Sequence, residues 1–374
     1  MPSATATQPR RNVGGRGFPS GRNFVRRHRR VMTVGLVLAA IGAFVVFVVP
    51  QISGLSTTLW RLRHADPWWI ALAVVLEAIS LGGYVLLFRT VFSCHGVRIG
   101  WRESYQINMA GTVASKLLST AGAGGVALTV WALRASGLQP RVIARRMVTF
   151  ELMLYAVFAG TLVTVGVGLR SGALAGRAPW TLTVVPAAAA GVAILLTLSL
   201  RALPSSVESQ IAAHTGSSSV PQRLLARFAT VPSTLRDATS IASQLVRDRR
   251  LGILGALAYW GFDIGTLWAS LHAFGAPPPH AAIVMAYFVG QLANALPLPG
   301  GIGGVEGGMI GALLAFGAHA SLAVLGVLAY RLISFWLPTL PGGLAYVRLR
   351  RTVGRWREMR VSSAPGSQSD RSPA

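Results

Sequence analysis

The sequence predicts an all-α polytopic membrane protein, built as an inverted repeat of transmembrane helices with Gly-rich re-entrant hairpins. Three observations lead to this prediction: apolar runs long enough to span a bilayer, basic residues placed so that one run must turn back, and a partial internal repeat. Of the 374 residues, 52% are hydrophobic and only 12% are charged, about half the charged fraction of a soluble domain.

Nine apolar segments lie between two polar tails, and a membrane-spanning helix needs roughly 20 such residues. Residues 1–30 are predicted to be a disordered basic cytoplasmic tail, 31–347 the membrane domain and 348–374 a second disordered cytoplasmic tail. The connection 201–250 is predicted to be a cytoplasmic loop, of which residues 233–250 fit either a surface helix or a solvated loop. The apolar segments are 31–50, 68–88, 105–131, 147–169, 180–200, 251–274, 281–297, 302–318 and 321–347.

The first segment, 31–50, follows a basic flank, as a signal peptide would. It is too long for an ordinary signal-peptide core and no small-residue cleavage site follows it, so we predict a retained helix.

The net charge of +24 could also indicate nucleic-acid binding. Because the arginines lie between and outside the apolar runs, we interpret them instead as determinants of topology and of affinity for anionic lipid.

The basic residues indicate how the chain crosses the membrane, since loops rich in Lys and Arg stay in the cytoplasm. If 105–131 enters and leaves on the same side, 29 of the 35 basic residues lie inside and four lie outside. The run is too short for two crossings but accommodates two half-helices of ~13 residues, each about 20 Å long. We therefore predict a re-entrant hairpin with its tip at 119–125, in a membrane protein with both termini in the cytoplasm.

A second hairpin is predicted around PLPGGIGG, between segments 281–297 and 302–318. Two full crossings satisfy the charge distribution equally well, so both arrangements stay open. The internal repeat favours the hairpin, because GAGGV at 122–126 matches GIGGV at 301–305. Repeat one covers about 68–169 and repeat two about 251–347, in opposite orientations, and inverted repeats with broken helices are typical of transporters.

Ionisable residues inside apolar segments cost roughly 2.5–3.5 kcal/mol each at a helix centre, and such residues usually line a path or form pairs. Glu306 follows the glycine tip, where a carboxylate stabilises a helix N-terminus. Uncovered amides at Gly300, Gly301, Gly303 and Gly304 could hold a phosphate oxygen. Arg331 could hold phosphate or form a buried pair with Glu306, and the sequence leaves both open. The six ionisable residues are Glu77, Lys116, Glu151, Asp263, Glu306 and Arg331.

The candidate substrate-binding residues lie mainly in the second predicted hairpin and the helix after it. Glu151 joins them because the repeat alignment places it opposite Arg331, whereas Glu77 and Asp263 are interpreted as polar contacts between helices or as cavity lining. No nucleophile elbow, Walker loop, metal-ligand spacing or paired-carboxylate pattern occurs in the sequence, so we expect no catalysis and no cofactor. The candidates are Asn294, Pro299, Gly300, Gly301, Gly303, Glu306, Arg331 and Glu151.

The stretch NALPLPGGIGGVEGGMIGALLAFG, which begins at Asn294, and the following AYRLISFWLP resemble the lysylphosphatidylglycerol synthase transmembrane-region family of flippase-like membrane proteins. The family segment Pro-Gly-Gly-x-Gly-x-x-Glu matches Pro299 to Glu306, and its Tyr-Arg pair matches Tyr330 and Arg331. The resemblance extends over about 31–347. The first copy, STAGAGGVALTVWALRASG, keeps the glycines and lacks the proline and the charged residue that often follows it.

This resemblance implies a lipid-handling membrane domain. In family members that carry a soluble synthase domain, the membrane region moves aminoacylated phosphatidylglycerol between leaflets. The 374 residues contain no such domain, so we expect no aminoacylation by this chain. We predict a bacterial inner-membrane protein that translocates or handles a phospholipid or lipid-linked headgroup, with membrane lipids and not nucleic acid as its partners. The alternative is a non-transporting scaffold for a lipid or cell-envelope glycosyltransferase, with that enzyme as its partner.

Overall fold

The computed structural model describes residues 65–93, 99–117, 123–177, 179–202, 231–248, 252–295 and 301–362, all of which belong to one compact unit, Leu55–Ala374. Every regular element in these residues is helical, as predicted. The predicted tail 1–30, the predicted helix 31–50 and residues 363–374 lie outside the described residues, and so do residues 119–122 and 297–300 of the two predicted hairpin tips. The helices are α1 (Pro67–Phe92), α2 (Trp101–Leu117), α3 (Ala123–Ala135), α4 (Pro140–Arg170), α5 (Trp180–Ala202), α6 (Val231–Arg247), α7 (Gly252–His272), α8 (His280–Leu292), α9 (Gly304–Ala315), α10 (Ala320–Arg331) and α11 (Thr339–Ser362).

Four helical stretches among the described residues are long and apolar enough to cross a membrane: α1, α4, α5 and Ala320–Trp356, which joins α10 to most of α11. The pair α6 and α7, bent by 94°, is a fifth if it counts as one span. Helices α3, α8 and α9 have 13, 13 and 12 residues. They are therefore only about 20 Å long, which is less than the roughly 30 Å hydrocarbon core. The chain is a multi-pass membrane protein.

Helices α1 and α7 pack antiparallel against each other. The Ser80 hydroxyl donates to the carbonyl of Tyr259 at 2.8 Å, and one turn further along α1 a Cβ on Gly83 would lie 2.8 Å from the carbonyl oxygen of Gly255. Glycines at a crossing allow two backbones to approach closely, which stabilises helix pairs in lipid, where the hydrophobic effect contributes little.

The short helices α2 and α3 form an antiparallel pair, as the sequence predicts for two half-helices in 105–131. Gly111 of α2 faces Thr129 of α3, and a Cβ on Gly111 would lie 3.3 Å from the Thr129 hydroxyl oxygen. One turn further along α2, the Ser115 hydroxyl faces Gly125. Later residues of α2 therefore contact earlier residues of α3, as in an antiparallel pair.

A second antiparallel pair is formed by α8 and α9, at the place where the sequence allowed either a hairpin or two crossings. Gly290 of α8 lies against α9, and a Cβ there would lie 3.0 Å from the carbonyl oxygen of Val305. Beyond the end of α8, Asn294 contacts Gly301. The φ of Gly301 is +66°, in the left-handed region that favours glycine.

Helix α11 corrects one prediction, because residues 348–362 are helical and not part of a disordered tail. Leu349 and Val353, one turn apart, are buried, and the Thr352 hydroxyl donates to the Gln106 side-chain oxygen of α2 at 3.1 Å. Four arginines that gave this segment the composition of a tail are exposed on the same helix: Arg348, Arg350, Arg351 and Arg355. Packing against α2 therefore makes this segment helical, although its composition alone predicts disorder.

Residues 231–247 form the amphipathic helix α6, so this part of the segment is helical and is not a plain solvated loop. Ala238 and Leu245 are buried, and Asp237 forms an ion pair with Arg145 of α4 at 2.9 Å. Both members of this pair are well exposed, so it contributes at most about 1 kcal/mol. The buried apolar face does more to hold α6 against the neighbouring helices.

Candidate functional site

A cavity of about 920 Å³ lies among the helices, near the upper end of the range for small-molecule sites, about 300–1,000 Å³. Its walls come from both antiparallel pairs of short helices and from the long helices between them. Gly111, Gly125, Asn294 and Gly301 bring the facing ends of the two pairs to this one cavity. The two glycine-rich segments that the sequence singled out therefore meet at a single site.

Four of the six ionisable residues predicted to lie within the membrane line this cavity: Glu77, Glu151, Asp263 and Arg331. Glu77 and Asp263 are buried, with 5% and 6% of their surface exposed, whereas Glu151 and Arg331 are half-buried. Charged side chains are tolerated at membrane depth where they face a polar interior and each other. Among the described residues, no group of three or more His, Cys, Asp or Glu side chains could hold a metal ion.

Asp263 begins a chain of hydrogen bonds that runs from α7 to the turn after α8. The hydroxyls of Tyr287 and Tyr330 donate to its Oδ2 atom at 2.5 and 3.3 Å. The Gln291 side-chain amide donates to the Tyr330 hydroxyl at 3.5 Å, and the Asn294 amide donates to Gln291 at 2.5 Å. Such networks fix the positions of polar groups where the dielectric constant is low.

Glu306 and Arg331 form an ion pair, with 2.6 Å between Oε1 and Nε. The side chains are 19% and 12% exposed, respectively. The second carboxylate oxygen of Glu306 accepts the Gly303 amide at 2.7 Å and so stabilises the start of α9. The Arg331 guanidinium lies 4.5 Å from the centre of the Phe335 ring, a distance at which the cation and the ring attract each other.

These contacts bear on two of the predictions made from the sequence. Glu306 and Arg331 form a half-buried pair, which is one of the two roles that the sequence allowed for Arg331, and Arg331 also lines the cavity. The expectation of an uncovered amide at Gly303 is wrong, because Glu306 already occupies it. A carboxylate three residues into the helix reaches back to the amide before its first turn, which explains why the two residues pair.

The predicted site residues fall into three groups. Glu151, Asn294, Gly301 and Arg331 line the cavity, and Gly303 and Glu306 are joined to it through Arg331. Pro299 and Gly300 lie outside the described residues, and so does the side chain of Lys116.

Tyrosines are the cavity residues that the sequence interpretation missed. Tyr259 precedes Asp263 by one helical turn, and Tyr155 follows Glu151 by one turn, so each lies on the same helix face as a carboxylate that lines the cavity. Tyr330 adjoins Arg331 in the family motif. A search for polar or aromatic side chains four residues from each intramembrane charge would have found the first two.

A π-helical turn, Leu332–Trp336, follows Arg331 directly. The Leu337 amide donates to the Leu332 carbonyl at 3.0 Å, five residues back along the chain. Ser334 and Phe335, both in this turn, line the cavity together with Arg331. Single π turns within α-helices are rare and frequently lie at functional sites.

Comparison with known proteins gives a family match that contains every cavity-lining residue described above. The family profile for the lysylphosphatidylglycerol synthase TM region matches residues 32–342. A UPF0104 membrane protein of Methanothermobacter thermautotrophicus is 24% identical over an alignment of 352 residues that covers 87% of this chain and 95% of the relative. A second from that organism is 26% identical over an alignment of 326 residues that covers 82% of this chain and 93% of the relative. A UPF0104 membrane protein of Pyrococcus horikoshii is 32% identical over 110 residues, 29% and 33% of the two chains.

Proposed function

This chain belongs to the lysylphosphatidylglycerol synthase TM-region family, and from that premise we propose that it moves a phospholipid or lipid-linked headgroup between the two leaflets. The observation that carries the proposal is the cavity of about 920 Å³, which is lined by four ionisable side chains and lies among helices long enough to span a bilayer. A headgroup needs polar partners wherever it leaves water, because unpaired polar groups in hydrocarbon are costly.

The residues of the cavity suit the parts of a lipid headgroup. Arg331 binds a phosphate oxygen by a charge-assisted hydrogen bond, and in doing so it exchanges one anionic partner, Glu306, for another. Gln291 and Asn294 supply amide groups for hydroxyls or sugars. Because Glu306 can recapture Arg331 once the phosphate leaves, the ion pair favours release as well as binding.

In this proposal the two antiparallel pairs, α2 with α3 and α8 with α9, are re-entrant hairpins that enter the bilayer from opposite sides. The antiparallel packing of α1 against α7 supports the underlying inverted repeat, because these helices begin repeat one and repeat two. The arginine distribution of the sequence supports a cytoplasmic position for both termini, and the membrane that we propose is a bacterial inner membrane.

The proposed activity is transport and not catalysis, and it needs no cofactor. No nucleotide-binding motif occurs in the sequence, so movement follows the lipid gradient or is coupled to an ion. The other candidate, a scaffold for an envelope-synthesis enzyme, makes a different prediction: the purified protein would move no lipid.

The test is a lipid-scrambling assay in proteoliposomes, in which dithionite quenches a fluorescent label in the outer leaflet. The two probes are a phospholipid labelled on its headgroup and a labelled lipid-linked sugar. The wild type should accelerate exchange of at least one of them over protein-free liposomes. Arg331→Ala should slow it roughly tenfold or more, because a hydrogen bond to a charged group contributes about 1.5–3 kcal/mol. The matched control is Arg141→Ala, which removes an exposed arginine in the first turn of α4. No acceleration by the wild type with either probe would favour the scaffold.

A further inference from the structure

The wall of the cavity has exposed side chains on one side, between α3 and α4. Val126 of α3 and Tyr155 of α4 both line the cavity, yet they are 46% and 55% exposed. Ala123 and Ala127 of α3 also line it and are exposed. Side chains that contact both the cavity and the exterior mark a gap in the wall.

The gap is bordered by one face of each helix. Residues 123, 126 and 127 of α3 share a face, because positions three and four apart are neighbours on a helix. The same spacing places Met147, Glu151 and Tyr155 on one face of α4, and all three line the cavity. On the exterior the border is mainly apolar, whereas Glu151 is the first carboxylate inside it.

The depth of the gap identifies what lies outside it. Tyr155 is the middle residue of α4, whose span runs from Pro140 to Arg170, so it lies about 22 Å along the helix axis from either end. A membrane-spanning helix has the hydrocarbon core around its middle. At this depth the gap would face lipid acyl chains and not water or soluble solutes.

We propose that the gap between α3 and α4 is a lateral portal through which a membrane lipid enters, and we call it the α3–α4 portal. The headgroup occupies the cavity while the acyl chains stay in the hydrocarbon outside Val126, Ala127 and Tyr155. Glu151 is the first charged group that the headgroup meets. This proposal rests on the proposed function, since it specifies the route by which a lipid reaches the same cavity.

Two readouts test the α3–α4 portal: lipid scrambling, and labelling by phosphatidylglycerol that carries a diazirine on its headgroup. In the wild type, the probe should label peptides that contain residues 147–155 and 330–335. Ala127→Trp should reduce both labelling and scrambling roughly tenfold or more, because a bulky side chain on the border of the gap raises the barrier to passage. The control, Val192→Trp on α5, places the same bulk at a residue that is 63% exposed and outside the cavity lining.

A block applied after folding separates the portal from folding defects. In a Cys94→Ser background, Ala127→Cys is modified in proteoliposomes with a lipid-soluble pyrene maleimide, and Val192→Cys is modified in parallel. Modification at 127 should stop labelling and scrambling, and modification at 192 should leave both unchanged. Wild-type rates after complete modification at 127 would overturn the portal and leave the proposed function standing. Wild-type protein that neither scrambles lipid nor is labelled in the cavity would overturn the proposed function itself.

Discussion

At the scale of single residues, Glu306 connects the start of α9 to Arg331 in the cavity wall. One carboxylate oxygen holds the start of α9 through the Gly303 amide, and the other holds Arg331 at the cavity wall. The two side chains are mostly withdrawn from solvent, so each charge depends on the other. In such a pair, the loss of one partner costs more than the pair contributes, because the remaining charge stays buried.

A double-mutant cycle tests this dependence. Glu306→Gln keeps an oxygen for the Gly303 amide and Arg331→Met keeps the apolar stem, yet each should cost up to about 3–5 kcal/mol by leaving a buried charge without its partner. The double variant should be more stable than the sum of the single effects predicts, with a coupling of about 0.5–3 kcal/mol. Unfolding in mixed micelles measures this free energy, and additive effects would argue against the pair.

The two tyrosines on Asp263 should differ in importance. The Tyr287 hydroxyl lies 2.5 Å from the carboxylate and the Tyr330 hydroxyl 3.3 Å. Tyr287→Phe should therefore destabilise the protein by about 1.5–3 kcal/mol, as loss of a charge-assisted hydrogen bond does, and Tyr330→Phe by less. Thermal unfolding monitored by tryptophan fluorescence gives the order, and a larger effect at Tyr330 would contradict it.

The sequence predicted much of the site at this scale and left its contacts open. Glu306 and Arg331 could be selected because each is a charge in an apolar segment. Their pairing could not be derived, because 25 residues separate them and a sequence contains no distances. Tyr287 was missed for the same reason: it lies 24 residues from Asp263, and no helical spacing connects the two.

At the scale of whole helices, the close crossing of α1 and α7 depends on one glycine, Gly83. A Cβ on Gly83 would lie 2.8 Å from the Gly255 carbonyl oxygen and from the Tyr259 amide nitrogen, whereas a Cβ on the adjacent Gly82 would meet nothing within 4 Å. The backbone of α7 cannot yield as a flexible side chain would. The contact therefore keeps α1 and α7 at a fixed separation beside the cavity.

These neighbouring glycines form a matched pair of variants. Gly83→Ala should destabilise the protein by about 1–3 kcal/mol through overpacking at the crossing. Gly82→Ala should be neutral or stabilising by up to about 1 kcal/mol, because alanine favours the helix more than glycine does. Apparent unfolding temperatures in the same detergent compare the two, and equal shifts would show that α1 and α7 do not cross as closely as described.

The π turn after Arg331 can be tested by deletion. Removing Leu332, which is 52% exposed, should turn the π turn into an α turn and leave α11 packed on α2. Removing Tyr346, which is 41% exposed, should rotate Leu349 and Val353 by about 100° about the helix axis relative to Gly342. Either Gly342 or the pair Leu349 and Val353 would then lose its contacts with α2. The Leu332 deletion should therefore unfold at a higher temperature, and a result in the reverse order would contradict this.

Helices could be predicted from the sequence where the periodicity and length of an apolar run are enough to identify them. The half-helices in 105–131 followed from a run too short for two crossings, and α2 with α3 confirms them as an antiparallel pair. Helix α11 was missed beyond residue 347, since its arginines resemble a tail and only the Leu349 and Val353 spacing indicates a packed face. The π turn has no sequence signature, because it depends on how both flanking helices pack.

At the scale of the whole molecule, the proposal depends on how the two pairs of short helices lie relative to the bilayer. Each pair is antiparallel, so both of its outer ends should emerge on one side. The proposed inverted repeat requires opposite sides for the two pairs, and the cavity would then lie between their inner ends. The charge distribution of the sequence could indicate this topology for the first pair, but it gave no preference for the second.

Cysteine accessibility measures this arrangement most directly. In a Cys94→Ser background, exposed positions at the outer ends are changed singly to cysteine: Arg102 and Gln139 for the first pair, Ala276 and His319 for the second. A membrane-impermeant maleimide is applied to right-side-out and inverted vesicles. We predict that positions 102 and 139 react from the cytoplasmic side and that 276 and 319 react from the other side. Reaction of 102 and 139 from opposite sides would contradict two re-entrant pairs that enclose one lipid-binding cavity.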